Sequence, residues 1–110
     1  MAHVVVQRLD HLGQEIVEIN RANGWDVFRP EDWLNTLKVA TAIALIHSEA
    51  SEAMEALRTN DLGNFAEELA DVLIRVLDLS SGLGINIDQA VYDKLEQNKV
   101  RGYRHGEKRV

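Results

Sequence analysis

The chain has 110 residues, a net charge of −6 at pH 7, one proline and no cysteine. This length predicts a single domain, and the absence of cysteine excludes a disulfide scaffold, a cysteine-ligated zinc site and a thiol nucleophile. A negative net charge argues against binding to a nucleic acid polymer. Because no apolar run is long enough to cross a membrane and no signal peptide is recognisable, we expect a cytoplasmic protein without membrane contacts.

The charge is distributed unevenly along the chain. Residues 93–110 carry a net charge of +3, whereas residues 1–92 carry −9. An acidic body that holds metal cations would, together with a basic tail, suit one anionic ligand. The alternative is a basic C-terminal tail without such a role.

Two helices are predicted in the first half of the chain, which is rich in residues typical of helices. The first runs from about Val4 to Ala22, because apolar residues recur there at three- and four-residue steps, and Asn23-Gly24 is a typical stop. The second begins at Pro30, which suits the first helical position, and continues to Arg58. The β-branched residues at 39–41 make a break possible there.

Two more helices are predicted in the second half. The third starts at Asn64, which forms a capping-box pattern with Glu67, and ends at Gly82 or Gly84. The fourth follows residue 86 and ends near Arg101. An irregular basic tail from about residue 102 completes the single domain 1–110.

The third predicted helix is apolar over most of its circumference, so it needs to be buried on several sides. Four short helices offer too little cover within one chain. We therefore expect an all-α four-helix bundle that assembles as a homodimer, a homotetramer or another homo-oligomer.

Four acidic residues form two pairs with i, i+3 spacing, Glu49 with Glu52 and Glu68 with Asp71. Each pair projects from one face of its helix, and Glu49 lies at the edge of an apolar arc, where a carboxylate needs a partner. The short connection between the two helices makes them antiparallel neighbours, so the pairs can face each other.

Such a cluster of carboxylates is costly without a counter-charge. Two carboxylates about 5 Å apart repel by roughly 3 kcal/mol at an effective dielectric constant of ~20, so protonation, water or a bound cation must relieve the repulsion. Oxygen ligands without cysteine or a nearby histidine suit Mg²⁺ or Mn²⁺. The alternative is a pair of solvated helix faces.

The local sequence around these acids resembles the MazG-like superfamily of all-α nucleoside triphosphate pyrophosphohydrolases. The resemblance rests on Glu49-x-x-Glu52 and Glu68-x-x-Asp71 within Ser48–Ala53 and Glu67–Leu73, and on Lys94, Asn98 and Arg101 ahead of Tyr103 and His105-Gly106. It covers roughly residues 42–106, and the first forty residues match only loosely.

The resemblance implies a Mg²⁺-dependent hydrolase, with Mn²⁺ as a possible substitute, that cleaves a nucleoside triphosphate to the monophosphate and pyrophosphate in housecleaning of the nucleotide pool. It implies four metal ligands, of which the first two are also candidates for the catalytic base, and three substrate-binding residues on the fourth helix. These residues are Glu49, Glu52, Glu68 and Asp71, followed by Lys94, Asn98 and Arg101.

Two other classes of protein are alternatives to a pyrophosphohydrolase. A di-iron carboxylate bundle needs Glu-x-x-His motifs on two helices, and the sequence contains none. A non-catalytic helical oligomer or adaptor with a degenerate metal site stays open. Trp25, Phe28 and Trp33 either form a stacking platform for a base or pack in a core or interface.

Overall fold

The computed structural model describes residues 8–101, which form four α-helices and one short 3₁₀ helix and contain no strand. The elements are α1 (Arg8–Ala22), the 3₁₀ helix (Pro30–Leu34), α2 (Thr36–Arg58), α3 (Leu62–Gly82) and α4 (Ile87–Arg101). The prediction of an all-α protein is thus confirmed for this range. The predicted start at Val4 and the predicted tail from about residue 102 lie outside the described residues.

The first helix ends where the sequence predicts. Gly24 adopts a φ of +81°, a conformation that glycine reaches at little cost because it has no Cβ. The N–H of Trp25 then donates to the carbonyl of Asn20 at 2.9 Å. This turn directs the following segment, residues 25–29, back across the bundle.

The break in the second predicted helix lies earlier than expected. Residues 39–41 are continuous helix, and Thr41 donates its hydroxyl to the carbonyl of Leu37 at 2.8 Å. The interruption falls at Asn35, whose side chain accepts a hydrogen bond from the N–H of Lys38 at 3.1 Å. An asparagine side chain that caps a new helix start therefore outweighs the β-branched residues in setting the boundary.

The cap of α3 also differs from the prediction. Asp61, not Asn64, is the N-cap, because its Oδ1 accepts a hydrogen bond from the N–H of Asn64 at 3.0 Å. The helix therefore begins at Leu62, two residues earlier than predicted. Its end at Gly82 and the start of α4 at Ile87 agree with the sequence.

The helices α2 and α3 form the largest interface, and α1 packs against α3. The connection between α2 and α3 is only three residues long, so these two helices run antiparallel, as predicted. The buried apolar residues within the described range are few: Ile16, Val17, Ala53, Ala56 and Leu77. None of the helices within residues 8–101 is long and apolar enough to cross a membrane.

The first half of α3 keeps a large apolar surface exposed. Leu62, Leu69 and Leu73 lie on one stripe of the helix and are 79%, 50% and 47% exposed. Farther along the helix, where α1 packs, Leu77 is only 1% exposed. The expectation that this helix is buried on several sides is therefore not met within one chain.

The helices α1 and α4 are joined at their N-terminal ends by two aspartates. Asp88 accepts hydrogen bonds from the N–H groups of Leu9 at 3.1 Å and Asp10 at 2.8 Å, and Asp10 accepts one from the N–H of Ile87 at 2.9 Å. Burial acts to raise the pKa of Asp88, but these donors, with the Asp10 side chain, hold it below its usual value. Each aspartate thus stabilises the start of the other helix.

Candidate functional site

The antiparallel pairing of α2 and α3 brings three of the four predicted acids together. Glu49, Glu68 and Asp71 each offer a carboxylate oxygen, and these oxygens lie within 4.8 Å of one another. The side chain of Glu49 is only 13% exposed, that of Glu68 is half-buried and that of Asp71 is exposed. The cluster is therefore partly buried.

Glu68 is the least satisfied of these acids. Its Oε2 atom is buried and has no hydrogen-bond partner among the described residues. The facing Glu52 carboxyl, partial burial and Glu49 together raise the pKa of Glu68 to about 7. Glu52 thus lies beside Glu68, although it is exposed and is not one of the three residues whose oxygens converge.

Arg75 is a site residue that the sequence analysis did not single out. Its Nε donates to Oε1 of Glu49 at 3.2 Å, and no other salt bridge among residues 8–101 reaches the four acids. Arg75 follows Glu68 by seven residues and Asp71 by four, so all three share one face of α3. This spacing was the signal that could have identified it.

The donor set fits a hard divalent cation. Three carboxylates converge with Glu52 beside them, Arg75 pairs with Glu49 alone, the ligand atoms are all oxygens, and one oxygen is buried without a donor among the described residues. Two solvated helix faces would leave these oxygens in water. Glu49 and Oε2 of Glu68 are instead withdrawn from water, whereas Glu52 and Asp71 are exposed.

A cavity of about 580 Å³ continues from the acidic cluster along the groove between α2 and α3. Glu49, Asp71 and Arg75 line one end, and Asn20 of α1 and Asp78 of α3 line the wall farther along. Apolar side chains and the segment 25–28 complete it: Ala42, Leu45, Ile74, Leu79, Trp25, Asp26 and Phe28.

The aromatic residues fall into two groups. Trp25 and Phe28 line the cavity, whereas Trp33 does not. Trp25 and Trp33 are 69% and 67% exposed, so the prediction that they pack in the core of this chain is wrong for both. Phe28 lies so close to α3 that a Cβ on Gly82 would come within 2.5 Å of the Phe28 Cβ, and glycine is therefore required there.

Lys38 holds this aromatic segment in place. Its Nζ lies 2.8 Å from Asp32, 3.3 Å from Asp26 and 4.8 Å from the centre of the Phe28 ring. The hydrogen bond with Asp32 raises the pKa of Lys38. The cation therefore ties the wall of the cavity to α2 by ion pairs and a cation–π contact.

The three predicted substrate-binding residues of α4 lie away from this cavity within the chain. Lys94, Asn98 and Arg101 are exposed, and none of them lines the cavity. The helix α4 packs mainly against α1 and only lightly against α3. Their role in binding stays a prediction.

Comparison with known proteins agrees with the geometry. The family model of the MazG nucleotide pyrophosphohydrolase domain matches residues 38–102, which is more than half of the chain and includes α2 from Lys38 onward, α3 and α4. No curated protein and no solved structure matches the chain. The resemblance inferred from the sequence is confirmed, and the chain belongs to the MazG nucleotide pyrophosphohydrolase domain family.

Proposed function

We propose that the chain hydrolyses nucleoside triphosphates to the monophosphate and pyrophosphate, and that it uses Mg²⁺ held by Glu49, Glu52, Glu68 and Asp71. Family membership supports the reaction class. The observation that carries the proposal is the convergence of carboxylate oxygens within 4.8 Å at the mouth of a 580 Å³ cavity. A polyphosphate cannot approach such an acidic groove without a cation, and the groove is large enough for a nucleotide.

The chain's own residues have distinct tasks in this reaction. When bound, Mg²⁺ would supply positive charge for the phosphate oxygens and lower the pKa of a bound water. Glu49 and Glu52 are the candidates to accept the proton of the attacking water. Arg75 uses its Nε for Glu49, which leaves its terminal N–H groups to donate to a phosphate. Hydrolysis of the α–β anhydride bond then releases pyrophosphate.

Pyrophosphate release from a panel of nucleoside triphosphates, with and without Mg²⁺, tests this proposal. We expect release that requires the cation and that falls strongly in Asp71→Asn and Glu52→Gln, with an unchanged helical circular dichroism spectrum. Glu55→Gln is the matched control, because Glu55 is exposed and pairs with Arg58 on the outer face. A folded protein that releases no pyrophosphate from any substrate favours the adaptor hypothesis instead.

We also propose that the working unit is a homodimer or homotetramer. The exposed stripe of Leu62, Leu69 and Leu73 continues the stripe that α1 covers at Leu77, and a second copy offers the same apolar surface. Sedimentation of Leu69→Glu with Leu73→Glu should show a smaller species than the wild type. Val100→Glu, which alters an exposed residue of α4, is the control. A wild-type monomer would contradict the proposal.

A further inference from the structure

The groove has two chemically different ends, which are set a fixed distance apart by α3. Asp71 and Asp78 are seven residues apart and so lie on the same face, about 10.5 Å from each other along the helix axis. Arg75 lies between them. The acidic cluster marks one end, and Asn20, Trp25 and Asp78 mark the other, which we call the distal end. This separation is on the scale of one nucleotide, not of pyrophosphate alone.

The distal end offers an aromatic surface beside polar atoms. Trp25 and Phe28 line the cavity, and they lie toward this end because Trp25 donates its backbone N–H to the backbone carbonyl of Asn20 and Phe28 packs on Gly82, one helical turn beyond Asp78. The packing on Gly82 and the contacts of Lys38 fix the segment that carries both rings. A flat nucleobase can stack on such a surface, and stacking alone does not distinguish one base from another. Selectivity must therefore come from the polar atoms.

The polar atoms left over at the distal end are mainly hydrogen-bond acceptors. Nδ2 of Asn20 donates to Oδ1 of Asp78 at 3.1 Å, which fixes the orientation of the amide because a carboxylate only accepts. Oδ2 of Asp78 and the side-chain amide oxygen Oδ1 of Asn20 receive no hydrogen bond from residues 8–101. Both side chains are half-buried. The nearest strong donor, Arg75, is bonded to Glu49 toward the acidic end.

Such acceptors discriminate between bases by a simple rule. Cytosine and adenine present an exocyclic amino group, whereas uracil and hypoxanthine, their oxo counterparts, present a carbonyl oxygen at the same ring position. An amino group can donate to Asp78 and Asn20 together. A carbonyl oxygen would face two acceptors without a proton between them, and the neighbouring ring N–H of the oxo base has one proton where the amino group has two. The oxo base therefore leaves one of the two acceptors without the hydrogen bond that it makes in water.

We infer that the distal end of the groove, through Asp78 and Asn20, selects nucleotides whose base carries an exocyclic amino group over their oxo counterparts. This inference rests on the proposed function, because it assigns the base end of the same substrate. The expected preference is about 10- to 100-fold, since the site is half-buried and one or two hydrogen bonds are at stake.

The matched pairs CTP with UTP and ATP with ITP provide the test, because each pair differs by the replacement of an amino group with an oxo group and the accompanying ring proton. With Mg²⁺ present, kcat/KM should favour CTP over UTP and ATP over ITP. In Asp78→Asn, which replaces an acceptor oxygen by an amide donor, both ratios should fall toward one or reverse. Glu55→Gln removes the same charge outside the groove and should leave both ratios as in the wild type.

A second measurement does not depend on turnover. Binding of CMP and UMP to the wild type in the presence of Mg²⁺, followed by tryptophan fluorescence and calorimetry, should favour CMP. Equal binding and equal hydrolysis within each pair would overturn the inference while the proposed function stands. An active Asp78→Asn variant whose kcat/KM ratios within the pairs equal those of the wild type would have the same meaning. Absence of hydrolysis of every triphosphate would overturn the proposed function, and the preference for CMP would then decide the inference by itself.

Discussion

Two acidic side chains in different regions of this chain, Asp88 and Glu68, have opposite surroundings. At the joint between α1 and α4, Asp88 receives hydrogen bonds from two backbone N–H groups, at 3.1 and 2.8 Å. In the groove between α2 and α3, Glu68 faces Glu52 and Glu49, and its Oε2 is buried without a donor. The surroundings lower the pKa of Asp88 and raise the pKa of Glu68 to about 7.

The difference shows how a structural carboxylate can be told from a candidate functional one. Asp88 stabilises two helix ends, and its charge is balanced by donors that are already in the fold. Glu68 receives no hydrogen bond from residues 8–101 that stabilises its charge, which fits the proposal that a cation from outside the chain joins it. Substitution of Glu68 should therefore lower activity without lowering stability, and substitution of Asp88 should lower stability without lowering activity.

The largest effect is expected for Glu68→Gln. Pyrophosphate release should fall by about 10²–10³-fold, as for the loss of one group that stabilises charge in a transition state. Without divalent cation, the melting temperature should equal or exceed that of the wild type, because the new amide can donate to Glu52 or Glu49. Enzyme assays and thermal unfolding in EDTA measure both quantities.

The neighbouring Glu67→Gln is the matched control for that substitution. Glu67 is exposed on α3, so the same change of charge should leave activity within about twofold of the wild type and stability within the small range of surface substitutions. Equal losses of activity in both variants would remove the distinction between the two regions.

The reverse pattern is expected for Asp88→Asn. The amide cannot accept from both N–H groups, so the melting temperature should fall by about 5 °C, the usual scale for the loss of a helix cap in a domain of this size. Activity per folded molecule at low temperature should remain close to that of the wild type. Asp93→Asn, at an exposed site on the same helix, is the control, and a drop in activity without a drop in stability would contradict the prediction.

The two regions should also respond to pH with opposite signs. The folded-state pKa of Glu68 is raised from 4.5 to about 7, so the stability that the metal-free protein owes to protonated Glu68 is lost as the pH rises through this range. The pKa of Asp88 is lowered from 3.8, so its contribution is present above that value and is lost as the pH falls below it.

Urea unfolding in EDTA across this pH range measures both responses. The difference in the free energy of unfolding between Glu68→Gln and the wild type should grow from pH 4.5 to pH 7.5, and Mg²⁺ should reduce it at the higher pH. The difference between the wild type and Asp88→Asn should shrink only below about pH 4. If the difference in the free energy of unfolding between Glu68→Gln and the wild type does not change with pH, repulsion between Glu68 and its acidic neighbours does not destabilise the folded state.

The convergence of the acids could be predicted because it depends on two short-range rules. The i, i+3 spacing fixes the face of each helix, and a three-residue connection makes α2 and α3 antiparallel. The pairing of Glu49 with Arg75 depends instead on the rotation of α3 about its axis and on its position along α2. Residue spacing alone does not determine either of these. Asn20 and Asp78 depend on the position of α1, and that position follows from tertiary packing.

The errors in the helix boundaries have a common cause. Asp61 competes with Asn64 for the cap of α3, and Asn35 competes with the β-branched residues at 39–41 for the break. Several residues near each boundary carry suitable chemistry, and the one that satisfies the free N–H groups in the packed structure prevails. Sequence patterns therefore located the helices better than their ends.

The smallest effect is expected for Arg75→Met, which removes the one cation that the described chain itself places among the four acids. The free energy of unfolding without divalent cation should fall by roughly 0.5–1 kcal/mol, because the pair with Glu49 is partly exposed. Mg²⁺ should then stabilise this variant more than it stabilises the wild type, since a competing positive charge has been removed. Arg58→Met breaks the fully exposed pair with Glu55 and should respond to Mg²⁺ as the wild type does. Equal stabilisation of all three proteins would mean that Arg75 and the cation do not share the same carboxylates. Glu49, the partner of Arg75, would then not be a ligand of the cation.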